Sequence, residues 1–134
     1  MKILICDKLE KEVLDKLSEI GEIIDISISK EKDKEFLNNI VDSEIAVIRS
    51  GTKLNKDILK EAVNLKIIAR CGVGVDNIDI EAATNNNIYV TNSPNANIIS
   101  VAELTIGLII SAARKIHTSN NSLKEKKWDR SRFK

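Results

Sequence analysis

Short apolar runs alternate with charged stretches along the first two thirds of the chain, and this alternation constrains the fold more than any other feature. Each run has the length of a β-strand and is rich in β-branched residues, and the stretches between carry apolar residues at helical spacing. The pattern predicts an α/β fold in which strands alternate with helices. The runs are Ile3–Cys6, Ile23–Ile28, Ile45–Ile48, Ile67–Cys71 and Ile88–Val90.

The first, third and fourth runs lack polar alternation, which is typical of strands buried on both faces of a parallel sheet. With right-handed crossovers they predict a flavodoxin-like, doubly wound parallel sheet of order 2-1-3-4-5. The first and fourth strands then lie two positions apart, roughly 9–10 Å. Because Cys6 and Cys71 belong to these strands, we expect two buried, reduced thiols and no disulfide.

The stretches between the runs have recognisable helix boundaries. Gly21 is expected to end the first helix, and a polar start at Ser29 leads into the second. Asn55 is expected to cap the third helix, and a shorter helix to follow Asp79. The expected inward-facing residues are Leu9, Val13, Leu14, Leu17 and Ile20 in the first helix, Phe36, Leu37, Ile40 and Val41 in the second, and Ile58, Leu59 and Ala62 in the third.

Composition narrows the classes of partner. A net charge of +1 and an aromatic content of 3% give no reason to expect nucleic acid or an anionic membrane as partner. The longest apolar-rich stretch, Leu104–Ala113, is shorter than the roughly twenty residues of a membrane span. The first apolar run ends at Asp7, too early for a secretory signal. We therefore expect a cytoplasmic protein, and we find no spacing of metal ligands.

Residues 98–116 are apolar in nearly every helical direction and predict one long helix. One five-stranded domain covers only one side of such a helix, so we expect a further domain or a second subunit to contact it. The predicted boundary lies between 1–97 and 98–134. The polar tail beyond has the composition of a solvated end, but Trp128 and Phe133 within it are expected to dock on a protein surface. His117, the single histidine, is expected at the end of the long helix, where the helix dipole explains it.

The segment "IIARCGVGVDNIDIEA" raises the question of a dinucleotide-binding loop. Gly72 and Gly74 fit the first two positions of G-x-G-x-x-G, but Asn77 stands at the third. The helix that follows also starts with acidic residues, which repel a pyrophosphate. We therefore interpret the segment as a turn whose exposed N–H groups bind one small anion, such as a carboxylate.

Two arginines strengthen this interpretation. Arg49 ends the third run and Arg70 the fourth, and each is followed by a glycine turn. Neighbouring parallel strands end at one edge of a sheet, so the pair predicts a site for a carboxylate or a phosphate. The residues show no paired carboxylates, no nucleophile motif and no metal cluster, so we expect no catalytic residue in this chain.

The stretch "LKIIARCGVGVDNIDIEAATNNNIYVTNSPNANIISVAELTIGLIISAARKI" resembles the NAD-dependent D-2-hydroxyacid dehydrogenases. "AVIRSGTKLNKDIL" and the tail "SLKEKKWDRSRF" are similar to the D-3-phosphoglycerate dehydrogenase branch of that family. The resemblance covers residues 2–134. It implies a flavodoxin-like substrate domain, then a helix, Ile98–Ile116, that crosses into an NAD-binding domain and contributes to a homodimer interface.

The resemblance also implies the site and the reaction. The backbone amides of the glycine turn would hold the substrate carboxylate, and the arginines would face the substrate and its phosphate. The reaction would be oxidation of the 2-hydroxyl of 3-phosphoglycerate, in serine biosynthesis. The implied substrate-binding residues are Arg49, Ser50, Arg70, Gly72, Val73 and Gly74, and the residues implied to line the nicotinamide end of NAD are Val73, Gly74 and Thr105.

The chain departs from the family because it stops before the G-x-G-x-x-G loop and the catalytic arginine, glutamate and histidine. We therefore expect either a truncated product or a second polypeptide that supplies the rest, and no turnover by this chain alone. Alternatives are another D-2-hydroxyacid dehydrogenase, of glycerate, hydroxypyruvate or lactate type, and a non-catalytic dimerising fragment. A receiver or flavin carrier fits poorly, since Arg49 stands where a receiver needs its phosphoacceptor aspartate.

Overall fold

The computed structural model describes residues 1–133. The chain divides into two compact units, Met1–Ala96 and the segment from Asn97 onward. The first is an α/β domain and the second is helical. Among the described residues, none of the helices has the length and apolar character needed to cross a membrane.

The first unit is built on five parallel strands in the order β2-β1-β3-β4-β5, so the predicted fold class and strand order are confirmed. Each strand overlaps the run that predicted it. The strands are β1 (Lys2–Ile5), β2 (Glu22–Asp25), β3 (Ile45–Ile48), β4 (Ile67–Arg70) and β5 (Tyr89–Thr91).

Four helices connect these strands, and two of them begin with a side-chain cap. Asn55 Oδ1 accepts a hydrogen bond from the N–H of Ile58 at 3.0 Å, and Asp79 Oδ1 accepts one from the N–H of Ala82 at 2.9 Å. Both predicted helix starts are therefore confirmed. The helices are α1 (Lys11–Ser18), α2 (Lys32–Ile40), α3 (Lys56–Glu61) and α4 (Ile80–Asn85).

The sheet separates two apolar clusters of unequal size. The larger cluster lies on the face covered by α2, α3 and α4, and the smaller one, centred on Ile3, Ile5 and Val47, packs against α1. The smaller cluster is contacted by a narrow stripe of α1, which consists of Leu14 and Leu17. Val13, predicted to face inward, is 42% exposed, and Ile20, also predicted to face inward, is 58% exposed and lies beyond the end of α1, so the predicted inward face is too wide.

The two cysteines are separated as predicted. Both cysteines are free, but only Cys6 is buried, in the larger cluster; Cys71 is partly buried against the smaller cluster, so the expectation of a buried thiol is wrong there. Strand β3 lies between β1 and β4, the strands that Cys6 and Cys71 directly follow. Burial, followed by the negative charge of Asp7, raises the pKa of the Cys6 thiol to about 12. Cys6 is therefore an unreactive core residue.

The second unit consists of helices α5 (Ile98–Ala113) and α6 (Ile116–Lys124) and a short 3₁₀ helix, Arg130–Phe133. The single helix predicted over residues 98–116 is therefore wrong at its end. Lys115 has a φ of 52°, which is left-handed and stops α5.

The start of α6 also corrects two expectations for the tail. His117 lies in the first turn of α6, with Nε2 3.1 Å from Thr118 Oγ1, so a favourable helix C-terminus does not explain it. The segment expected as a solvated end is helical as far as Lys124. Trp128 is 81% exposed, so the expected docking of its side chain is not seen within residues 1–133.

Helix α5 presents large apolar side chains that remain exposed. None of its residues is buried, although its sequence is apolar in every direction. Such a surface is normally covered by another protein surface. The exposed residues are Ile98, Ile99, Val101, Leu104, Ile106, Leu108, Ile109 and Ile110, each between 51% and 73% exposed.

Candidate anion-binding site

The carboxyl edge of the sheet brings the predicted arginines together. In the register of β3 and β4, Ile48 is paired with Arg70, and Arg49 follows Ile48 directly. Two turns leave the sheet here: residues 49–52, the arginine–serine turn, and residues 71–77, the glycine turn. Ligands of open α/β sheets bind at this edge.

Gly72 is required by both conformation and packing. Its φ is +155°, and a Cβ added here would lie 1.7 Å from Nη1 of Arg70. The guanidinium of Arg70 therefore lies directly against the backbone of the glycine turn. Any side chain at this position would displace it.

Two carbonyl groups of the glycine turn, those of Gly72 and Val73, are held in place, whereas the N–H groups of Val73 and Gly74 are free of partners among the described residues. The N–H of Ser93 donates to the Gly72 carbonyl at 2.9 Å, and the Asn92 side chain donates to the Val73 carbonyl at 2.7 Å. Within residues 1–133, the N–H groups of Val73 and Gly74 have no hydrogen-bond partner, and both residues are exposed. Two consecutive free donors form a site suited to an anionic oxygen.

Arg70 adds an unsatisfied donor beside these groups. Its Nε is buried and has no hydrogen-bond partner among the described residues. A buried N–H without a partner costs free energy. An anionic oxygen that accepted from Nε would remove that cost, and the positive charge of the guanidinium favours an anion at this edge.

Arg49 and Ser50 are both exposed on the arginine–serine turn. The guanidinium of Arg49 makes one long hydrogen bond, 3.4 Å, to the carbonyl of Lys8 in the loop after β1. Four of its five N–H donors are therefore free of partners among residues 1–133. An exposed arginine with this capacity is suited to a phosphate or a carboxylate.

Asp7 organises this edge and was missed by sequence reasoning. Its carboxylate accepts from Lys32 Nζ at 2.8 Å and from the backbone N–H of Arg49 at 2.6 Å. Burial alone would raise the pKa of Asp7, but the bonds from Lys32 and Arg49 outweigh it and lower that pKa. Gly51 leaves room for the carboxylate, because a Cβ there would lie 2.7 Å from Oδ1. Asp7 directly follows the first apolar run, Ile3–Cys6, so the strand-end rule that selected the arginines could have found it.

Asn77 links the two turns and was also missed. Its side-chain nitrogen donates to the Arg49 carbonyl at 2.7 Å and to the Thr52 carbonyl at 2.6 Å. The backbone continues the link, since the N–H of Leu54 donates to the Asn77 carbonyl at 2.9 Å. In the sequence analysis, Asn77 was considered only as the residue at the third glycine position of the G-x-G-x-x-G motif.

The acidic residues after the glycine turn have structural roles. The Asp79 carboxylate caps the first turn of α4, where a dinucleotide-binding loop would place phosphates. This arrangement agrees with the rejection of a dinucleotide-binding loop at these glycines. A group of three or more metal-ligating side chains is likewise missing from residues 1–133.

Thr105, the remaining predicted site residue, belongs to the second unit. It lies in α5, and its hydroxyl donates to the Val101 carbonyl at 2.7 Å. Its role beside a cofactor stays a prediction.

Sequence comparison identifies the family. Residues 3–126 match the D-isomer specific 2-hydroxyacid dehydrogenases over their catalytic domain. The chain belongs to this family. The D-3-phosphoglycerate dehydrogenase of Methanocaldococcus jannaschii is 49% identical to this D-2-hydroxyacid dehydrogenase chain over 135 residues, which is 100% of the chain and 25% of the relative. The hydroxypyruvate reductase of Thermotoga maritima is 43% identical over 128 residues, which is 96% of the chain and 42% of the relative.

A solved structure supports the same relationship. The NAD⁺-bound 3-phosphoglycerate dehydrogenase of Entamoeba histolytica superimposes on this D-2-hydroxyacid dehydrogenase chain with a TM-score of 0.67 and 35% identity. The match covers 86% of the chain and 40% of the solved structure. The chain thus spans about a quarter of the length of the phosphoglycerate dehydrogenases among its curated relatives.

Proposed function

We propose that this chain is the substrate-binding portion of an NAD-dependent D-3-phosphoglycerate dehydrogenase, which oxidises the 2-hydroxyl of 3-phosphoglycerate. The observation that carries the proposal is the pair of free N–H groups at Val73 and Gly74 beside the unsatisfied guanidinium of Arg70. The 49% identity to a D-3-phosphoglycerate dehydrogenase supports this choice of substrate.

In this proposal the two turns bind opposite ends of the substrate. The carboxylate accepts from the N–H groups of Val73 and Gly74, and the phosphate accepts from Arg49 and Ser50. Arg70, folded over Gly72, donates to the ligand between the two turns. Charge-assisted hydrogen bonds at both ends hold C2 in a fixed orientation, which lowers the entropic cost of the reaction.

The chain's own residues also suit the reactive end of a nicotinamide cofactor. Val73 is 41% exposed and offers an apolar surface beside the free N–H groups. With Gly74 and Thr105 we propose that it lines this end of NAD. When bound, NAD would supply the acceptor for the hydride that leaves C2. The acidic start of α4 argues against the cofactor's phosphates at the same turn.

We further propose a homodimer formed through α5. The exposed apolar side chains of this helix support a second copy as partner, since water contact with so many of them is unfavourable.

A second candidate is a dehydrogenase for an unphosphorylated hydroxy acid. The observation that favours it is the 43% identity to a hydroxypyruvate reductase. The two candidates differ in whether Arg49 and Ser50 bind a phosphate, and a comparison of ligands distinguishes them.

Titration with 3-phosphoglycerate, followed by ¹H–¹⁵N correlation NMR, tests the proposal. We expect millimolar ligand to shift the backbone signals of Arg49, Arg70, Val73 and Gly74, and Arg49→Gln to weaken binding by about tenfold, because a charge-assisted bond is lost. Lys66→Gln is the matched control, since it removes one cation that pairs with Glu44 at the opposite edge of the sheet.

Two results of this titration would contradict parts of the proposal. An absence of shifts at the four residues would reject the site. Equal affinity for glycerate and 3-phosphoglycerate, with no effect of Arg49→Gln, would favour the unphosphorylated substrate.

A further inference from the structure

Two side chains determine where the arginine–serine turn lies relative to the glycine turn. Asn77 reaches from the glycine turn and donates to both carbonyls, of Arg49 and Thr52, at 2.7 and 2.6 Å. Asp7 reaches from the end of β1 and accepts the N–H of Arg49 at 2.6 Å. The arginine–serine turn is thus held at its N–H group by one side chain and at its carbonyl groups by the other.

The orientation of the Asn77 amide follows from these contacts. Reversing it would place Oδ1 against two carbonyl oxygens, which cannot donate. In the observed orientation Oδ1 is buried and has no hydrogen-bond partner among the described residues, and this costs free energy. A residue that served only to fill space would avoid the cost. What Asn77 adds, and an apolar residue cannot, is the pair of hydrogen bonds that its amide nitrogen donates to the neighbouring turn.

We propose that Asn77 is a positioning residue that sets the distance between Arg49–Ser50 and the free N–H groups of Val73 and Gly74. It thereby makes the site selective for hydroxy acids with an anionic group at each end. This inference rests on the proposed function, because it takes the two turns to bind the two ends of one ligand.

The consequence of the proposal depends on the length of the ligand. A ligand that contacts both turns, such as 3-phosphoglycerate, needs the correct distance between them. Glycolate carries the carboxylate and the 2-hydroxyl but no phosphate, so it needs only the glycine turn. Loss of the Asn77 bonds therefore weakens the binding of the long ligand and spares the short one.

The experiment measures the affinity of the chain for both ligands by NMR titration. We expect Asn77→Ala to weaken binding of 3-phosphoglycerate by about tenfold or more, the equivalent of losing one or two hydrogen bonds. Binding of glycolate should change by less than about twofold. Asn77→Ser is the milder variant, because its hydroxyl donates to one carbonyl at a time, and a smaller loss with the same selectivity is expected.

Asn86→Ala is the matched control. The Asn86 side chain also donates to a backbone carbonyl, that of Ala82 at 2.7 Å, but at the far end of α4. It should leave both affinities unchanged.

Three outcomes of this experiment distinguish failure of the proposed function from failure of the positioning role. If neither ligand binds the unsubstituted chain, the proposed function is rejected together with the inference. If 3-phosphoglycerate binds and Asn77→Ala or Asn77→Ser leaves its affinity unchanged, the positioning role alone is wrong. If a folded Asn77 variant loses both ligands equally, the residue supports the fold without setting the distance, and the inference is again overturned.

Discussion

At the scale of single residues, Gly72 is the position where backbone conformation and packing impose the same requirement. Its φ of +155° is unfavourable for any residue with a Cβ, and the Arg70 guanidinium occupies the space that a Cβ would need. Gly74, two residues on, has neither constraint to the same degree. An added Cβ there would meet only Oδ1 of the Asp76 side chain, at 2.9 Å, and that side chain is free to rotate.

We expect Gly72→Ala to lower the free energy of unfolding by about 1–3 kcal/mol, because the alanine is strained and Arg70 is displaced. Affinity for 3-phosphoglycerate should fall with it. Gly74→Ala should cost less than about 1 kcal/mol. Urea denaturation of both variants checks the difference, and equal losses would show that the conformation of Gly72 imposes no special constraint.

The carboxylate of Asp7 makes stability depend on pH. Its pKa in the folded chain lies below the unfolded value of about 3.9, because its bonds to Lys32 and Arg49 outweigh burial. The stabilisation is therefore fully present above about pH 4 and is lost as pH falls through the lower, folded pKa. We expect Asp7→Asn to flatten the loss of stability below about pH 4, measured by urea denaturation at a series of pH values.

Lys32→Met provides the control for the pH experiment. Lys32 is the ion-pair partner of Asp7, with its Nζ 2.8 Å from Asp7 Oδ1, and the substitution removes it. Its effect and that of Asp7→Asn should therefore be less than additive. Glu44, whose pKa is lowered by the hydrogen bond from Lys66, retains its own acid dependence in both variants. Fully additive effects would mean that Lys32 does not stabilise the charged form of Asp7.

The residues of the site were predictable to different degrees. Arg49 and Arg70 could be located because hydrophobic runs mark strand ends, and parallel strands end at a common edge. The contacts of Asp7 and Asn77 with Arg49 could not be predicted, because Asp7 lies 42 positions and Asn77 28 positions from Arg49 along the chain. Spacing along the chain carries no information on which carbonyl an amide will reach, since that depends on how two turns fold against each other.

At the scale of elements, strands were predicted more accurately than the ends of helices. The branched aliphatic runs specify parallel strands because burial on both faces leaves no room for polar residues. The end of α5 was not predictable in this way. Its hydrophobic pattern continues to Ile116, but Lys115 adopts a left-handed conformation that no local residue type demands. The helical pattern of α6 is weak, since "IHTSNNSLK" contains few apolar residues.

At the scale of the whole molecule, the apolar composition of α5 indicates that another protein surface covers this helix, but it does not identify that surface. The sequence predicted contact with a further domain or a second subunit. The structure describes the exposed side chains of this helix and holds no partner. The state of association is the property that binding of a second copy would change, and its measurement tests the homodimer proposal.

Sedimentation of the pure chain should show a dimer, since burying the apolar side chains of α5 is favourable. The double variant Leu104→Glu/Leu108→Glu places two charges on one side of α5 and should weaken self-association by about tenfold or more. Ile28→Glu is the control, because Ile28 is 82% exposed in the first unit and lies outside α5. A monomeric unsubstituted chain, or equal effects of the two variants, would reject α5 as the interface.

The position of β1 in the sheet has a consequence for synthesis on the ribosome. Strand β1 pairs with β2 on one side and with β3 on the other, and its residue Ile5 is matched to Val47. At roughly 5–20 residues per second, several seconds pass between translation of these two positions. During that interval only the β1–α1–β2 unit can assemble, and one edge of β1 stays unpaired. The nascent chain therefore exposes one edge of the strand that carries Ile3, Leu4 and Ile5 until β3 leaves the exit tunnel, and this interval is when it depends most on protection from aggregation.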